Sequence, residues 1–285
     1  MTAYLQLTKP RLSSLVLVTV AVAYFVASPG SFEAGSFVAV LLGMALVVGG
    51  GNALNQYIER EFDARMPRTQ SRPLPSGRLS PAAALTFGIT CVIGGLGILF
   101  FGVNPLAGTL AAVAAFLYVF VYTPLKRRTP LNTLVGAVPG AIPPLVGWAA
   151  SRGTLDPGAW ALFLIQFLWQ MPHFMAISRL YREDYERGGY RMLAVVDPTG
   201  VAPGRLSLVF ALALVPATIA PFYLGIMGTA YLVFSLALSA GFLGMVIWSL
   251  FGGGATRQRW VFLSSLLYLM GLLAFMLIDR QPPTT

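Results

Sequence analysis

The chain has 285 residues, 56% of them hydrophobic and only 10% charged, with a formal net charge of +9. A soluble domain carries about 25% charged residues, so this deficit, together with a mean hydropathy of +0.74, excludes an ordinary water-soluble enzyme. In so apolar a chain the positive excess belongs to loops beside a lipid bilayer and not to nucleic acid. The lone Cys91 lies in an apolar run, allows no intrachain disulfide and reads as a packed thiol.

Uncharged intervals define the organisation: 12–32, 34–58, 79–125, 129–151, 157–178, 206–256 and 260–278. The first follows a short N-terminal segment with no small-residue cleavage site after it, and reads as a retained span. A span needs about 20 apolar residues. Five intervals therefore hold one helix each, and the two long ones hold two, broken at Gly102-Val103-Asn104-Pro105 and between Tyr223 and Gly228. The expected fold is all-α: a single polytopic bundle over residues 1–285, of about nine transmembrane helices around a central cavity.

With the N-terminus inside, 17 of the 19 Lys and Arg residues fall on the inner side, leaving only Arg152 and Arg280 outside. Such an asymmetry orients the helices with the N-terminus and the charged loops cytoplasmic. Seven of the ten acids follow the cations to that side, in two clusters, which the orientation rule does not require.

The first cluster, GGGNALNQYIEREFDARMPRTQSRPLPSGRLSP, spans residues 49–81. Asn55, Glu59 and Asp63 recur every four residues and so share one helical face, with Asn52 on the same stripe. An amide and two carboxylates offer oxygen ligands to a hard cation such as Mg²⁺, which keeps room for phosphate oxygens and water. Arg65, Arg68, Arg72 and Arg78 follow, and guanidinium groups suit bidentate binding of phosphate.

Next in the chain, YTPLKRRTPLNTLVGAVPGAIPPLVGW places Tyr122 and Lys126 four residues apart at the end of the fourth span. Lys126 reads either as a membrane-interface anchor or as a cation for a diphosphate. Asn132 and Thr133 are polar groups able to face a cavity, and the repeated Gly and Pro suit close helix packing. The last cluster, WQMPHFMAISRLYREDYERGGYRMLAVVDPTG, covers residues 169–200. It carries Glu183, Asp184 and Glu186 among Arg179, Arg182, Arg187 and Arg191, on the same side as the first cluster. His173, the only histidine, reads either as a packing residue or as a ligand, base or orienting group.

These three segments resemble the intramembrane aromatic prenyltransferases of the UbiA type, and within them the protoheme IX farnesyltransferase (heme O synthase) branch. The stripe Asn55-x3-Glu59-x3-Asp63, RTQSRPLPSG and Tyr122-x3-Lys126 carry the broader likeness; NTLVGAVPGAIPPLVGW and WQMPHF carry the narrower one. One departure is that Asp184 is the only aspartate of the acidic run Glu183 to Glu186, where the superfamily commonly has two or three. The resemblance implies Mg²⁺ held with a diphosphate by Asn55, Glu59, Asp63 and Asp184, with Lys126 joining these as the catalytic set. It implies that Arg68, Arg72, Tyr122, Asn132, His173, Arg182 and Arg187 bind substrate. It further implies farnesyl diphosphate and heme b as substrates, a bacterial inner-membrane location and hand-over of product to a heme A synthase. Two competitors remain at this level. A prenyltransferase for a quinone precursor or chlorin shares the first motif but gives no reason for WQMPHF. A transporter often shows inverted repeats and broken helices near the midplane, whereas here the ionisable residues gather at one interface.

Overall fold

The computed structural model describes residues 2–28, 30, 32–252 and 254–281. Among the described residues all regular elements are helical, and the single extended pairing is an isolated antiparallel bridge between Met227 and Arg280. Nine of the helices are long and apolar enough to cross a membrane: α1 Pro10–Ala27, α2 Ala34–Asp63, α3 Pro81–Gly102, α4 Pro105–Leu125, α5 Asn132–Arg152, α6 Pro157–Leu180, α7 Val201–Tyr223, α8 Thr229–Leu250 and α9 Ala255–Ile278.

Both expected breaks occur, each with its own local chemistry. The Asn104 side chain accepts from the Ala107 N–H at 2.9 Å and Pro105 opens α4, the usual start of a helix. Between α7 and α8 the chain reverses through Gly225 at φ +70°, a conformation that favours glycine. Several helices run past the uncharged intervals, two of them with visible partners for the charges they take in. α2 continues a full turn to Asp63, because the cations described below meet its terminal carboxylates. α7 begins at Val201, ahead of Arg205, because Asp197 accepts from the Ala202 N–H at 2.6 Å and caps that helix.

The packing has two halves that share α1 and α5. One core joins α1, α5 and α6 to α7–α9 through Trp148, Trp169, Leu214, Phe242 and Tyr268; the other joins α1–α5 through Tyr24, Met44, Leu99 and Ile142. α5 and α6 are the most buried of the nine helices and also the least hydropathic, since helices enclosed by protein need no lipid-compatible face. Between α2 and α3 the contact is built on glycine. A Cβ on Gly50 would lie 2.7 Å from the Gly88 carbonyl oxygen, and one on Gly95 would lie 2.6 Å from that of Gly43. Such close backbone approach is how membrane helices associate where lipid supplies no hydrophobic drive. A narrow apolar cavity of about 20 Å³ lies between α1, α5, α6 and α9, lined by Thr19, Pro144, Gln166 and Leu272 among others.

Candidate active site

The last three turns of α2 carry an unusual load of buried polar groups. Asn52, Asn55, Gln56, Glu59 and Asp63 are all 5% exposed or less. Polar side chains at this depth are costly unless paired, and each has a partner. The Lys126 ammonium donates to Glu59 Oε1 at 2.8 Å, and Arg72 Nη1 donates to Asp63 Oδ2 at 2.7 Å. Arg72 returns to α2 through a tight series of turns, in which the Thr69 hydroxyl donates to the Asp63 carbonyl oxygen at 2.8 Å.

The N-terminal segment supplies a third cation. A short helix, Thr2–Leu7, lies against the end of α2, where Gln56 donates to the Leu7 carbonyl at 2.8 Å and Asn52 to that of Thr8 at 3.2 Å. Lys9 follows at φ 50°, the one positive φ outside glycine among the described residues. That conformation costs roughly 1–2 kcal/mol, and it directs the Lys9 ammonium onto Asn55 Oδ1 at 3.0 Å. Burial, with the neighbouring Arg72 and Lys126 charges, lowers the Lys9 pKa to about 7. Burial also works against the Lys126 ammonium, but Glu59 and then Tyr122 outweigh it and hold its pKa well above the usual lysine value.

α4 reaches the site through a stretch of π-helix, Leu117–Tyr122. The Thr123 N–H closes the widened turn on the Tyr118 carbonyl, which also accepts from the Thr123 hydroxyl at 2.8 Å. The widened turn stacks Tyr118 on Tyr122 with centroids 5.8 Å apart. It also lets the Tyr118 hydroxyl donate to Asn52 at 3.2 Å, and Asn55 donate to the Thr123 hydroxyl at 3.1 Å. Lys126 lies 4.7 Å from the Tyr122 ring centroid.

The segment after α6 folds over this group. Met66, Tyr190 and Met192 form a small core with Phe62 and Tyr185, and the Arg68 guanidinium stacks 4.7 Å from the Tyr181 ring centroid. Asn132 donates to the Arg191 carbonyl at 3.0 Å and the Arg191 N–H donates to the Lys126 carbonyl at 2.7 Å, tying this segment to the start of α5. Tyr190 is 3% exposed, and its hydroxyl is buried without a hydrogen-bond partner. Burial, and then the Glu59 charge, push its pKa up, so the group stays a neutral donor.

The two acidic segments thus meet, as the sequence suggests, but the expected site residues divide. Asn55, Glu59, Asp63, Lys126, Arg72 and Tyr122 form one contact network, with Arg68 above it and Asn132 bracing it. Arg187 pairs instead with Glu183 at 3.7 Å on the exposed face of the short helix Arg182–Arg187, which also holds Arg182 and a partly buried Asp184. Among the described residues, no three His, Cys, Asp or Glu side chains cluster closely enough to hold a metal by themselves. His173 lies apart, at the contact of α6 with α9: its Nδ1 is 2.7 Å from the Ser265 hydroxyl and its ring stacks on Trp169 at 4.8 Å. Lys9, Tyr118, Thr123 and Tyr190 are the members that sequence reasoning missed. Lys9 counted there only as a cytoplasmic charge, and nothing local in sequence marks the other three.

The donor set suits a metal diphosphate. Arg72 and Lys126 balance two carboxylates, and Lys9, with its pKa lowered to about 7, can take up a proton when an anion enters, while Asn55, Glu59 and Asp63 offer oxygen ligands and Tyr190 offers an unused hydroxyl.

Comparison with known proteins gives the family. Residues 16–272 match the model of the "UbiA prenyltransferase family". The chain belongs to that family. A UbiA-family protein from Myxococcus xanthus named protoheme IX farnesyltransferase is 47% identical over 280 residues, covering 98% of this chain and 94% of the relative. Its namesake from Solibacter usitatus is 42% identical over 286 residues, covering 97% and 98%. The human mitochondrial protoheme IX farnesyltransferase is 41% identical, with 97% of this chain covered and 62% of the human one. Among solved structures, a digeranylgeranylglyceryl phosphate synthase superposes with a TM-score of 0.82 at 19% identity, over 98% and 97% of the two chains. A UbiA homolog from Archaeoglobus fulgidus bound to GPP and Mg²⁺ gives 0.65 at 15% identity, over 96% and 99%. These two show that the UbiA fold is the one adopted here.

Proposed function

We propose that this prenyltransferase transfers the farnesyl group of farnesyl diphosphate to a vinyl group of heme b, giving heme O and diphosphate. The substrate pair is supported by the near-full-length relatives that bear that name. The chemistry is supported by one observation: two buried carboxylates held against lysine and arginine at the end of α2.

In this reading Asn55, Glu59 and Asp63, with Asp184 from the segment after α6, would hold Mg²⁺, which when bound would supply charge neutralisation for the leaving diphosphate. Lys126 and Arg72 turn from their carboxylates toward the diphosphate oxygens, joined by Lys9 and Arg68. The Tyr190 hydroxyl donates to the same group. These donors stabilise the charge that develops as the allylic C–O bond breaks and its electron pair leaves with the diphosphate. The Tyr118 and Tyr122 faces stabilise the allylic cation. The vinyl π electrons then form the new C–C bond, and water adds to the resulting cation with loss of a proton to solvent. The product is a hydroxyethylfarnesyl heme, which needs no strong base at the site. In this reading the carboxylate end faces the cytoplasm, which the charge asymmetry supports, and the bundle lies in the bacterial inner membrane with heme A synthase as the expected recipient.

The deciding experiment offers labelled farnesyl diphosphate to the purified protein with heme b and 4-hydroxybenzoate side by side, with and without Mg²⁺. Label in the heme product alone, dependent on Mg²⁺, is the expected result. Label in the benzoate product alone overturns the heme assignment and leaves a quinone-precursor enzyme. Substrate flux across sealed vesicles without turnover would instead indicate a transporter.

A further inference from the structure

The only two cations that the sequence leaves at the end opposite the carboxylates, Arg152 and Arg280, line the same cavity. Its volume is about 270 Å³, and it sits where the C-terminal ends of α1, α5 and α9, the N-terminus of α6 and the α7–α8 loop converge. Orientation rules disfavour cations at this end. Finding both in one cavity calls for a local reason.

The hydrogen bonding shows which charge is spare. Arg152 is largely committed: Nη1 donates to Asp156 Oδ2 at 2.7 Å and Nε to the Ala27 carbonyl at 2.9 Å, leaving Nη2 free. Arg280 has no hydrogen bond or ion pair from its guanidinium to any described residue; it lies over the Phe25 face, 5.2 Å from the ring centroid. The adjacent Asp279 makes no ion pair with it; its Oδ2 turns the other way and accepts from the Tyr231 N–H at 2.6 Å at the start of α8. The backbone is also fixed. The Gly228 N–H donates to the Asp279 carbonyl and the Gln281 N–H to the Ile226 carbonyl, both at 2.9 Å, so Arg280 is held at the cavity by two strapped strands of chain. Burial, and then the Arg152 charge, lower the Arg280 pKa, as expected for two guanidinium groups facing one space. Of the charged groups that line the cavity itself, Arg152, Asp156 and Arg280, one positive charge remains unmatched.

We propose that this cavity binds the phosphate of an anionic phospholipid from the leaflet at that end of the bundle. The phosphate bridges Arg280 and the free Nη2 of Arg152, a geometry that guanidinium forks favour. The glycerol and first methylenes lie on Val26, Trp148, Leu224 and Ile226, apolar walls for which a free phosphate has no use. One surplus positive charge matches a lipid of one negative charge, whereas a zwitterionic head would bring its ammonium against the arginines.

The test uses the full chain in detergent, equilibrated with phosphatidylglycerol or with phosphatidylcholine and read by native mass spectrometry. One phosphatidylglycerol is retained per chain in preference to phosphatidylcholine, and millimolar inorganic phosphate does not displace it. Arg280→Gln weakens that retention about tenfold, the scale of a lost hydrogen bond to a charged group. Its thermal stability and farnesyl transfer stay unchanged, since Arg280 supports no described contact of the fold beyond Phe25. Equal retention of the two lipids by the unmodified chain overturns the proposal whatever the variant does. So does wild-type retention by Arg280→Gln, and displacement by inorganic phosphate reassigns the cavity to a free anion.

Discussion

At the carboxylate end, Lys126 and Glu59 are 15% and 7% exposed in their side chains, and Arg72 and Asp63 are 25% and 1% exposed. At the opposite end, Arg152 and Asp156 pair at a similar distance but with 31% and 30% of their side chains in contact with solvent. Near-identical bond lengths thus carry different energies. An exposed pair contributes about 0–1 kcal/mol, whereas breaking a buried one by removing one partner costs about 3–5 kcal/mol. The buried pairs are therefore poised to exchange partners when an anionic ligand enters, since neither side can be left alone. The exposed pair has water as a substitute.

That contrast can be broken by mutation. The largest effect is expected from Asp63→Asn or Glu59→Gln, each of which removes a ligand charge and should lower farnesyl transfer by about 10³-fold, measured by product formation at saturating substrates. Lys126→Met leaves Glu59 buried and unpaired. It should cost about 3–5 kcal/mol of stability, seen as a lowered midpoint of thermal unfolding, in addition to most of the activity. Asp184→Ala sharpens the boundary of the site: as a ligand its loss lowers turnover on the order of 10²-fold, while near-normal turnover would remove it from the metal set. Gly50→Ala forces α2 and α3 apart and should cost about 1–3 kcal/mol with the site residues unchanged. Asp156→Asn, which keeps the helix cap but breaks the exposed pair, should cost about 1 kcal/mol or less and leave turnover intact.

Much of this was legible in the chain, for identifiable reasons. Helix count and breaks follow from hydropathy and from Gly102, Asn104, Pro105 and Gly225, whose preferences act locally. The stripe Asn55, Glu59, Asp63 was readable because α-helical spacing puts residues four apart on one face. The partners were harder. Lys9 meets Asn55 across 46 residues and Tyr118 meets Asn52 across 66, contacts that no local pattern encodes. The π-helical stretch Leu117–Tyr122 widens one turn of α4, which sequence periodicity does not reveal. His173 was open to two readings, and the structure seats it among Trp169, Phe262 and Ser265, apart from the carboxylates.

The bond between Lys126 and Glu59 also constrains how the protein is made. Arg72 follows Asp63 by 9 residues, but Lys126 follows Glu59 by 67. At a synthesis rate of about 5–20 residues per second, roughly 3–13 s separate the two. During that interval Glu59 has left the ribosome and its lysine has not. The third and fourth helices enter the bilayer in that time, so the carboxylate waits at the aqueous margin until α4 delivers its counterion. The order of insertion, and not only the finished bundle, therefore has to keep the end of α2 in water until the chain has grown past residue 126.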